Sequence, residues 1–332
     1  MKINFDGRWF GDHGIGRFAK EVYARIPDAD ISELRSLSPS DPLDCFYITW
    51  KVLTNKSIWI SPGYNAPIFG LRRYIFTLHD LNHLDCEYNS NIIKRFYYWF
   101  IVRRACLYSA RVLTVSEFSR QRILDWSGAE PEQVVNVGNG VSENFRPDGQ
   151  HYTPGYPYLL CVGNRKPHKN EARLLAAFAK ANIPSSIRLV LTGPSAGLSK
   201  IASDLSINDR VVFLGKVTDD QLPEIYRGAL ALVFPSLYEG FGLPVIEAMS
   251  SGIPVMTSNV TSLPEVSGGC ALLVDPLDVN SIANGIEIVA QDNHLRKNLI
   301  ARGITQAKQY SWENVAQKIL NALEEAQEKL KG

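Results

Sequence analysis

The sequence lacks a surplus of either charge: 35 basic residues stand against 34 acidic ones, a formal net charge of +1. So balanced a chain offers no electrostatic footprint for nucleic acid or another polyanion. Cysteine is sparse and unpaired in pattern. The five, Cys45, Cys86, Cys106, Cys161 and Cys270, form no C-x-x-C, which argues against a disulfide framework or a zinc ribbon and fits a reducing cytoplasm. No apolar run is long enough to span a bilayer, and the opening MKINFDGRWF has no apolar core of a signal peptide. Any membrane contact is therefore expected to be peripheral, on the inner face. Repeats with a period of about 20 to 50 residues and low-complexity tracts are missing too.

What is present is a chain of 332 residues, 45% hydrophobic and 21% charged, the profile of a globular protein with room for two domains. Continuous apolar runs, the mark of buried parallel strands, fall at residues 2–5, 57–60, 74–78, 112–115 and 134–137. They recur at 158–162, 188–192, 211–214, 230–234, 254–257 and 272–274. Helical stretches alternate with them, so doubly wound α/β sheets are expected. Thr218 with Gln221 and Ser262 with Glu265 match capping boxes, and Ser116 caps a helix that ends before Gly128. The proline- and glycine-rich residues 145–157 mark the expected boundary, giving one domain at 1–148 and another at 149–311. Residues 312–332 read as an amphipathic helix with Val315, Ile319 and Leu323 on one face, open to packing back on the first domain.

The most informative stretch is FPSLYEGFGLPVIEAMSSGIPV, Phe234 to Val255. A strand ends, a loop carries Gly240 and Gly242, and Pro244 sits where a helix should begin. The amides of Phe241, Gly242 and Leu243, added to the helix dipole, make a site suited to a phosphate or diphosphate. Glu239 precedes the loop and Glu247 lies one turn into an otherwise apolar helix. Glu247 could simply stabilise the first turn, at about 0.3–1 kcal/mol, or accept from two vicinal hydroxyls of a ribose. The company of Glu239, two glycines and Pro244 favours the ribose.

A second stretch, LLCVGNRKPHKN, places four potential cations, Arg165, Lys166, His168 and Lys169, at the carboxyl end of a strand, the usual ligand crevice of such a sheet. A third, GDHGIGRF, carries Gly11, Gly14 and Gly16 but not the dinucleotide G-x-G-x-x-G spacing. A fourth, TLHDLNHLDC, groups His79, Asp80, His83, Asp85 and Cys86. Its H-D-x-x-H spacing directly after a strand is not that of a zinc helix, and no metal is expected there. Finally, residues 92–112 mix aromatics with Lys94, Arg95, Arg103 and Arg104, a composition that serves either an anionic membrane surface or a core with snorkelling arginines.

Glu239–Glu247, EGFGLPVIE, resembles the E-x7-E signature of retaining family 4 glycosyltransferases of the GT-B fold. The flanking residues through Val266 resemble that family as well. The resemblance implies two Rossmann-like domains facing each other across a cleft. It implies that Glu247 holds the donor ribose, that Glu239 and the loop amides of Phe241, Gly242 and Leu243 meet the transferred sugar and diphosphate, and that Lys169 neutralises the diphosphate. Gly193 and Val217 resemble the segments that hold the nucleotide. Gly14 and Gly16 resemble the glycine loop that approaches the donor phosphates, and His79-Asp80 the family's HD pair. One departure stands out: where the family commonly has arginine, this chain has Asn164, with Arg165 one residue later.

The resemblance implies a hexosyltransferase that needs no metal or other cofactor, since no D-x-D motif offers itself in the cleft segments and basic residues and amides would carry the charge. Its GIGR and PHKN segments look most like bacterial surface-polysaccharide mannosyltransferases. GDP-mannose is thus the first expected donor, with UDP-glucose or a UDP-HexNAc second, and a glycan or lipid-linked hydroxyl the acceptor. A nucleotide-sugar epimerase, a phosphorylase and a non-catalytic nucleotide-sugar-binding subunit are the competing classes. Front-side attack and a covalent carboxylate intermediate are both open.

Overall fold

The structure, a computed structural model, describes every residue except 1, 12, 28, 33–37, 40, 42, 87, 89, 91 and 332. The apolar runs become short strands, most of them wholly buried, which is what a parallel sheet covered on both faces requires. The chain divides into two compact units, Met1–Gly140 with Ser311–Gly332, and Val141–Tyr310.

The sheet of the first unit contains β1 (Ile3–Asp6), β2 (Ala29–Ser32), β3 (Ile58–Ser61), β4 (Tyr74–Thr77), β5 (Arg111–Thr114) and β6 (Val134–Asn136). All neighbours pair in parallel, in the order β2-β1-β3-β4-β5-β6. The second sheet contains β7 (Tyr158–Cys161), β8 (Arg188–Leu191), β9 (Val211–Phe213), β10 (Ala231–Phe234), β11 (Val255–Ser258) and β12 (Leu272–Val274). It too is parallel, in the order β12-β11-β10-β7-β8-β9. The two orders reverse at different places. The chain changes direction between β1 and β3 in the first sheet and between β7 and β10 in the second, and it is at such points that the loops part and leave a crevice.

Strand β2 is absent from the sequence expectation. It pairs with β1 alone, on the sheet edge, and its Ala-Asp-Ile-Ser holds no continuous apolar run. Asp30 instead meets Lys2 at 2.5 Å in an exposed ion pair, a common way to blunt an edge.

Residues 145–157, expected as the linker, lie inside the second unit. Phe145 packs edge-on against Tyr226 at 5.7 Å, and the Tyr152 amide donates to the Glu224 carbonyl at 2.9 Å. Proline and glycine there exclude regular structure without excluding packing; the division itself falls at Gly140 and Val141. Helix Trp312–Lys331 belongs to the first unit, where it packs on helix Gly14–Tyr23 and on β5. Trp312 meets Phe18 edge-on at 6.1 Å, while Arg25 pairs with Glu313 at 2.9 Å and Arg111 with Glu325 at 2.7 Å.

Of the two capping boxes, Thr218 forms its own. The Gln221 amide donates to Thr218 Oγ1 at 3.3 Å and the Thr218 amide to Gln221 Oε1 at 3.1 Å. Ser116 accepts from the Ser119 amide at 3.0 Å, and the helix ends in left-handed Gly128 as expected. Ser262 does not cap its helix; its hydroxyl is used elsewhere, as described below.

The first unit also buries a charged network that no local pattern announces. Arg8 forks onto Asp6, with Nε to Oδ1 at 2.8 Å and a terminal nitrogen to Oδ2 at 2.7 Å, and also onto Asp44 at 2.5 Å. Asn65 donates to Asp6 at 3.1 Å and to Asp44 at 2.9 Å. It accepts from the Trp9 indole at 2.8 Å and from Ser61 at 2.5 Å. Burial pushes the Asp44 carboxyl above its usual range despite Arg8. For Arg8, burial works toward a lower pKa, and the bonds and charges of Asp6 and Asp44 more than reverse it.

Among the described residues no helix is long and apolar enough to cross a membrane. Because Ile319 is fully buried against the first unit, Ile319→Ala should destabilise that unit by about 2–5 kcal/mol in denaturant unfolding. A loss under about 1 kcal/mol would show that the C-terminal helix is not part of its core.

Candidate active site

In the second unit the crevice at the direction change is built from the loops that follow β7 and β10. Three buried polar ties hold them together. Asn170 takes a left-handed conformation, φ 60°, which asparagine tolerates better than most residues. That turn lets its Nδ2 reach the carbonyls of Pro235 at 2.9 Å and Pro276 at 2.7 Å. Ser236 donates to the His168 carbonyl at 2.9 Å, and that carbonyl also accepts from the Leu237 amide at 2.7 Å. Ser262 Oγ lies 2.9 Å from the carbonyls of both Glu239 and Phe241, so the hydroxyl expected to cap a helix clamps the glycine loop instead.

These ties bring together residues far apart in the chain. Lys169 Nζ meets Glu239 Oε1 at 2.7 Å and lies 4.9 Å from the Phe234 ring centroid. Ser236 Oγ sits 2.6 Å from the same carboxylate oxygen. Both members of the Lys169–Glu239 pair are largely withdrawn from water, with side-chain exposures of 13% and 12%. Such a pair contributes little net stability, because desolvation offsets most of its attraction.

Gly242 adopts φ 100°, and a Cβ there would lie 2.6 Å from Leu263, so only glycine fits. The helix that follows, Leu243–Ser250, has no side-chain cap. The amides of Phe241, Gly242 and Leu243 find no protein acceptor among the described residues, and at a helix start they favour an anion. Glu247 is buried one turn on, where Tyr226 donates to its Oε2 at 2.9 Å.

Of the four expected cations after β7, Lys169 is the one paired with the signature loop. Lys166 stays exposed. His168 is a correction: it is buried, and burial pushes its pKa down to about 4, with Lys169 and Lys166 lowering it further and Glu239 working the other way. It is a neutral ring at physiological pH. Arg165, left-handed at φ 64°, turns inward. It pairs closely with Glu171 and donates to the carbonyls of Pro194 at 2.5 Å, Thr192 at 2.6 Å and Gly193 at 3.1 Å. In this structure it braces the loop after β8. Gly193, φ 82°, bridges to Gly215 with its amide 2.7 Å from that carbonyl, and half-buried Val217 follows.

In the first unit, His79 follows β4. Its Nε2 lies 2.9 Å from the Pro62 carbonyl, so Nε2 carries the proton and Nδ1 is left as acceptor. Burial lowers its pKa to about 4, the Pro62 carbonyl opposing and His13 adding to the effect; Phe18 stands edge-on to the ring at 5.0 Å. Gly16 is a packing residue, since a Cβ there would lie 2.3 Å from the Gly11 carbonyl. Its amide donates to His13 Nδ1 at 3.0 Å, which caps the helix that Gly14 opens. Asp85 pairs with Arg122 at 2.6 Å, and Asp80 accepts from the Asn82 amide at 2.9 Å. Among the described residues no group of three His, Cys, Asp or Glu side chains is arranged to hold a metal ion.

Tyr226, Ser236, Ser262 and His13 were not singled out for these roles from sequence. Each acts on a partner brought near by the fold, and only His13, three residues before Gly16, left a local signal.

The comparisons agree with this geometry. The family profile for Glycosyl transferases group 1 matches residues 143–306, and that for Glycosyltransferase Family 4 matches residues 55–145. The O-antigen chain mannosyltransferase B of Escherichia coli is 36% identical over 282 residues, covering 80% of this chain and 73% of that protein. The O-antigen chain mannosyltransferase RfbU of Salmonella typhimurium is 30% identical over 278 residues, covering 82% and 74%. Among solved structures, Anabaena HepE in complex with UDP-glucose aligns with a TM-score of 0.78 at 18% identity, over 98% of this chain and 99% of that one. WaaG, a glycosyltransferase involved in lipopolysaccharide biosynthesis, aligns at 0.75 and 16%, over 96% and 98%. The chain belongs to the group 1, family 4 glycosyltransferases, and its two doubly wound units are those of the GT-B fold.

The two depressed histidines have a consequence for pH. Between about 4 and the ordinary 6.5, His79 and His168 bind fewer protons folded than unfolded, so these two rings make stability rise with pH through that window, while the raised carboxyls of Asp44 and Glu171 act in the opposite direction. Unfolding free energies measured across it should show that slope, reduced in His79→Gln. An unchanged slope in the variant would mean that the ring is not held neutral by burial.

Proposed function

We propose that the protein transfers mannose from GDP-mannose, with retention of configuration, to a hydroxyl of a glycan or lipid-linked acceptor in surface-polysaccharide assembly. The observation that carries this reading is the Lys169–Glu239 pair set beside the unpaired loop amides, with Glu247 one turn behind. The choice of mannose is supported by the two O-antigen mannosyltransferases among the relatives. UDP-glucose, present in the HepE complex, is the second donor to test.

In this reading Glu247, oriented by Tyr226, accepts from the two ribose hydroxyls. The amides of Phe241, Gly242 and Leu243 receive the diphosphate, and Lys169 turns from Glu239 toward it as the bond to the sugar breaks. Negative charge grows on the leaving group at that moment, so a positive group fixed nearby lowers the barrier more than it tightens ground-state binding. These groups supply the charge stabilisation without a metal ion. Gly193 and Val217 line the nucleotide, and Arg165 acts through the loop it braces.

Glu239, paired with Lys169 before the donor binds, steadies the positive charge that develops on the sugar. The reaction then runs by front-side attack, in which a donor phosphate oxygen takes the proton of the acceptor hydroxyl as the new glycosidic bond forms and the bond to the diphosphate breaks. In the first unit, we assign neutral His79 a hydrogen bond at Nδ1 from a hydroxyl of the transferred sugar, and Gly14 a backbone approach to phosphate in a turn that Gly16 supports by packing on Gly11. The protein is expected to work in the cytoplasm.

Calorimetry with GDP-mannose, UDP-glucose and UDP-GlcNAc tests the assignment. GDP-mannose should bind selectively, and Glu247→Ala should abolish that binding, having lost two charge-assisted hydrogen bonds of about 1.5–3 kcal/mol each. Tyr226→Phe should weaken it by about tenfold or less. Lys169→Ala should lower kcat far more than donor affinity. Donor affinity unchanged in Glu247→Ala would overturn the ribose role, and failure of every donor to bind would overturn the transferase reading.

A further inference from the structure

The His79 ring is held by a peptide group that is itself held from behind. The Pro62 carbonyl, 2.9 Å from His79 Nε2, belongs to the same planar peptide as the Gly63 amide. In a trans peptide the C=O and N–H point to opposite sides, so a bond at one end sets the direction of the other. The Gly63 amide donates to Ser61 Oγ at 3.3 Å. Gly63 is also pressed against Trp9, where a Cβ would lie 2.2 Å from the indole. The Pro62–Gly63 plane thus carries one hydrogen bond at each end, Ser61 at the nitrogen and His79 at the oxygen.

Ser61 can accept at that end only if its own proton points elsewhere. It does so: the hydroxyl donates to Asn65 Oδ1 at 2.5 Å, which leaves an Oγ lone pair for the Gly63 amide. Asn65 can accept there only with its amide turned one way round. Two carboxylates fix that choice, because Nδ2 donates to Asp6 at 3.1 Å and to Asp44 at 2.9 Å. The reversed amide would set oxygen against oxygen. The Trp9 indole, a donor only, holds Oδ1 at 2.8 Å from another direction. Ser61 and Asn65 are both fully buried.

Orientation therefore passes from the Asp6–Arg8–Asp44 charges through Asn65 and Ser61 to the Pro62–Gly63 peptide, and from there to His79. Its product appears at the opposite ring nitrogen. With the proton fixed at Nε2, Nδ1 of the neutral ring can only accept, and Phe18, edge-on at 5.0 Å, limits rotation of the imidazole.

We infer that Ser61 and Asn65 are positioning residues for His79, acting through the Pro62–Gly63 peptide so that Nδ1 is presented as an acceptor to the transferred sugar. The inference rests on the sugar contact assigned to His79 above and adds the groups that fix the ring.

In protein carrying isotope-labelled histidine, a proton held between Nε2 and Pro62 should exchange slowly with water and give a resolved proton–nitrogen NMR signal, assigned by its absence in His79→Gln. Ser61→Ala should lose that signal, and Ser61→Thr, which keeps the hydroxyl, should retain it. Asn65→Ala should lose it as well; where that variant does not fold, the two Ser61 variants decide. Ile123→Ala, a core change in helix Glu117–Ser127, should lower the melting temperature and keep the signal. Calorimetry supplies a second readout. Ser61→Ala should weaken GDP-mannose binding about two- to tenfold, the effect of one hydrogen bond, and leave free GDP, which lacks the sugar, unchanged. Combined with His79→Gln it should cost nothing further, since residues that act through one another are not additive. A signal retained in Ser61→Ala would overturn the inference, as would its equal loss in Ile123→Ala or full additivity with His79→Gln. GDP-mannose binding unchanged in His79→Gln would instead overturn the sugar contact, while the labelled signal still decides whether Ser61 and Asn65 hold the ring.

Discussion

The second unit depends on one constraint: β7 and β10 lie side by side in the sheet although Lys169 and Glu239, which follow them, are 70 residues apart in the chain. Because the connections leave these strands in opposite directions, the loops above them part, and whatever stands in the gap must be held by side chains. Asn170, Ser236 and Ser262 do this with hydrogen bonds to loop carbonyls. The Lys169–Glu239 pair is a product of that framework and not its cause. Two desolvated charges held at 2.7 Å add little to stability, and what they gain is a fixed position beside an amide-lined loop.

The first unit solves a similar problem with charge. Its direction change lies between β1 and β3, and the buried Asp6–Arg8–Asp44–Asn65 network ties the ends of those strands to helix Asp44–Thr54. Two carboxylates share one guanidinium there, and Asn65 supplies the donors that Arg8 cannot. That same helix presents Phe46 and Trp50 outward, so the network that fixes its inner face also fixes the outer one.

Much of this was legible in the sequence because the signals are local. Buried parallel strands are unbroken apolar runs, and among the described residues eleven of the twelve strands were placed to within a residue or two; β2 escaped because an edge strand with Asp30 need not be apolar. The glycine loop was legible for the same reason, since Gly242 and Pro244 state their backbone demands within three residues. The second unit's boundary was placed a few residues late. Prolines and glycines signal irregular chain, yet Phe145 is buried against Tyr226 and the Tyr152 amide is bonded to the Glu224 carbonyl.

The sequence by itself determined the architecture, the family, and the positions of Glu239, Glu247 and Lys169, because strand periodicity and a nine-residue signature are properties of neighbouring residues. Tertiary structure alone decided what each of those groups touches. It made Tyr226 the partner of Glu247, turned Arg165 inward as a brace, and took Ser262 from a helix cap to a loop clamp. It also buried His168, which the sequence offered as a cation, until the ring could no longer hold its proton near neutral pH. These outcomes depend on distances set by the sheet order, and a hydrogen bond is decided by distance in space, not by separation along the chain.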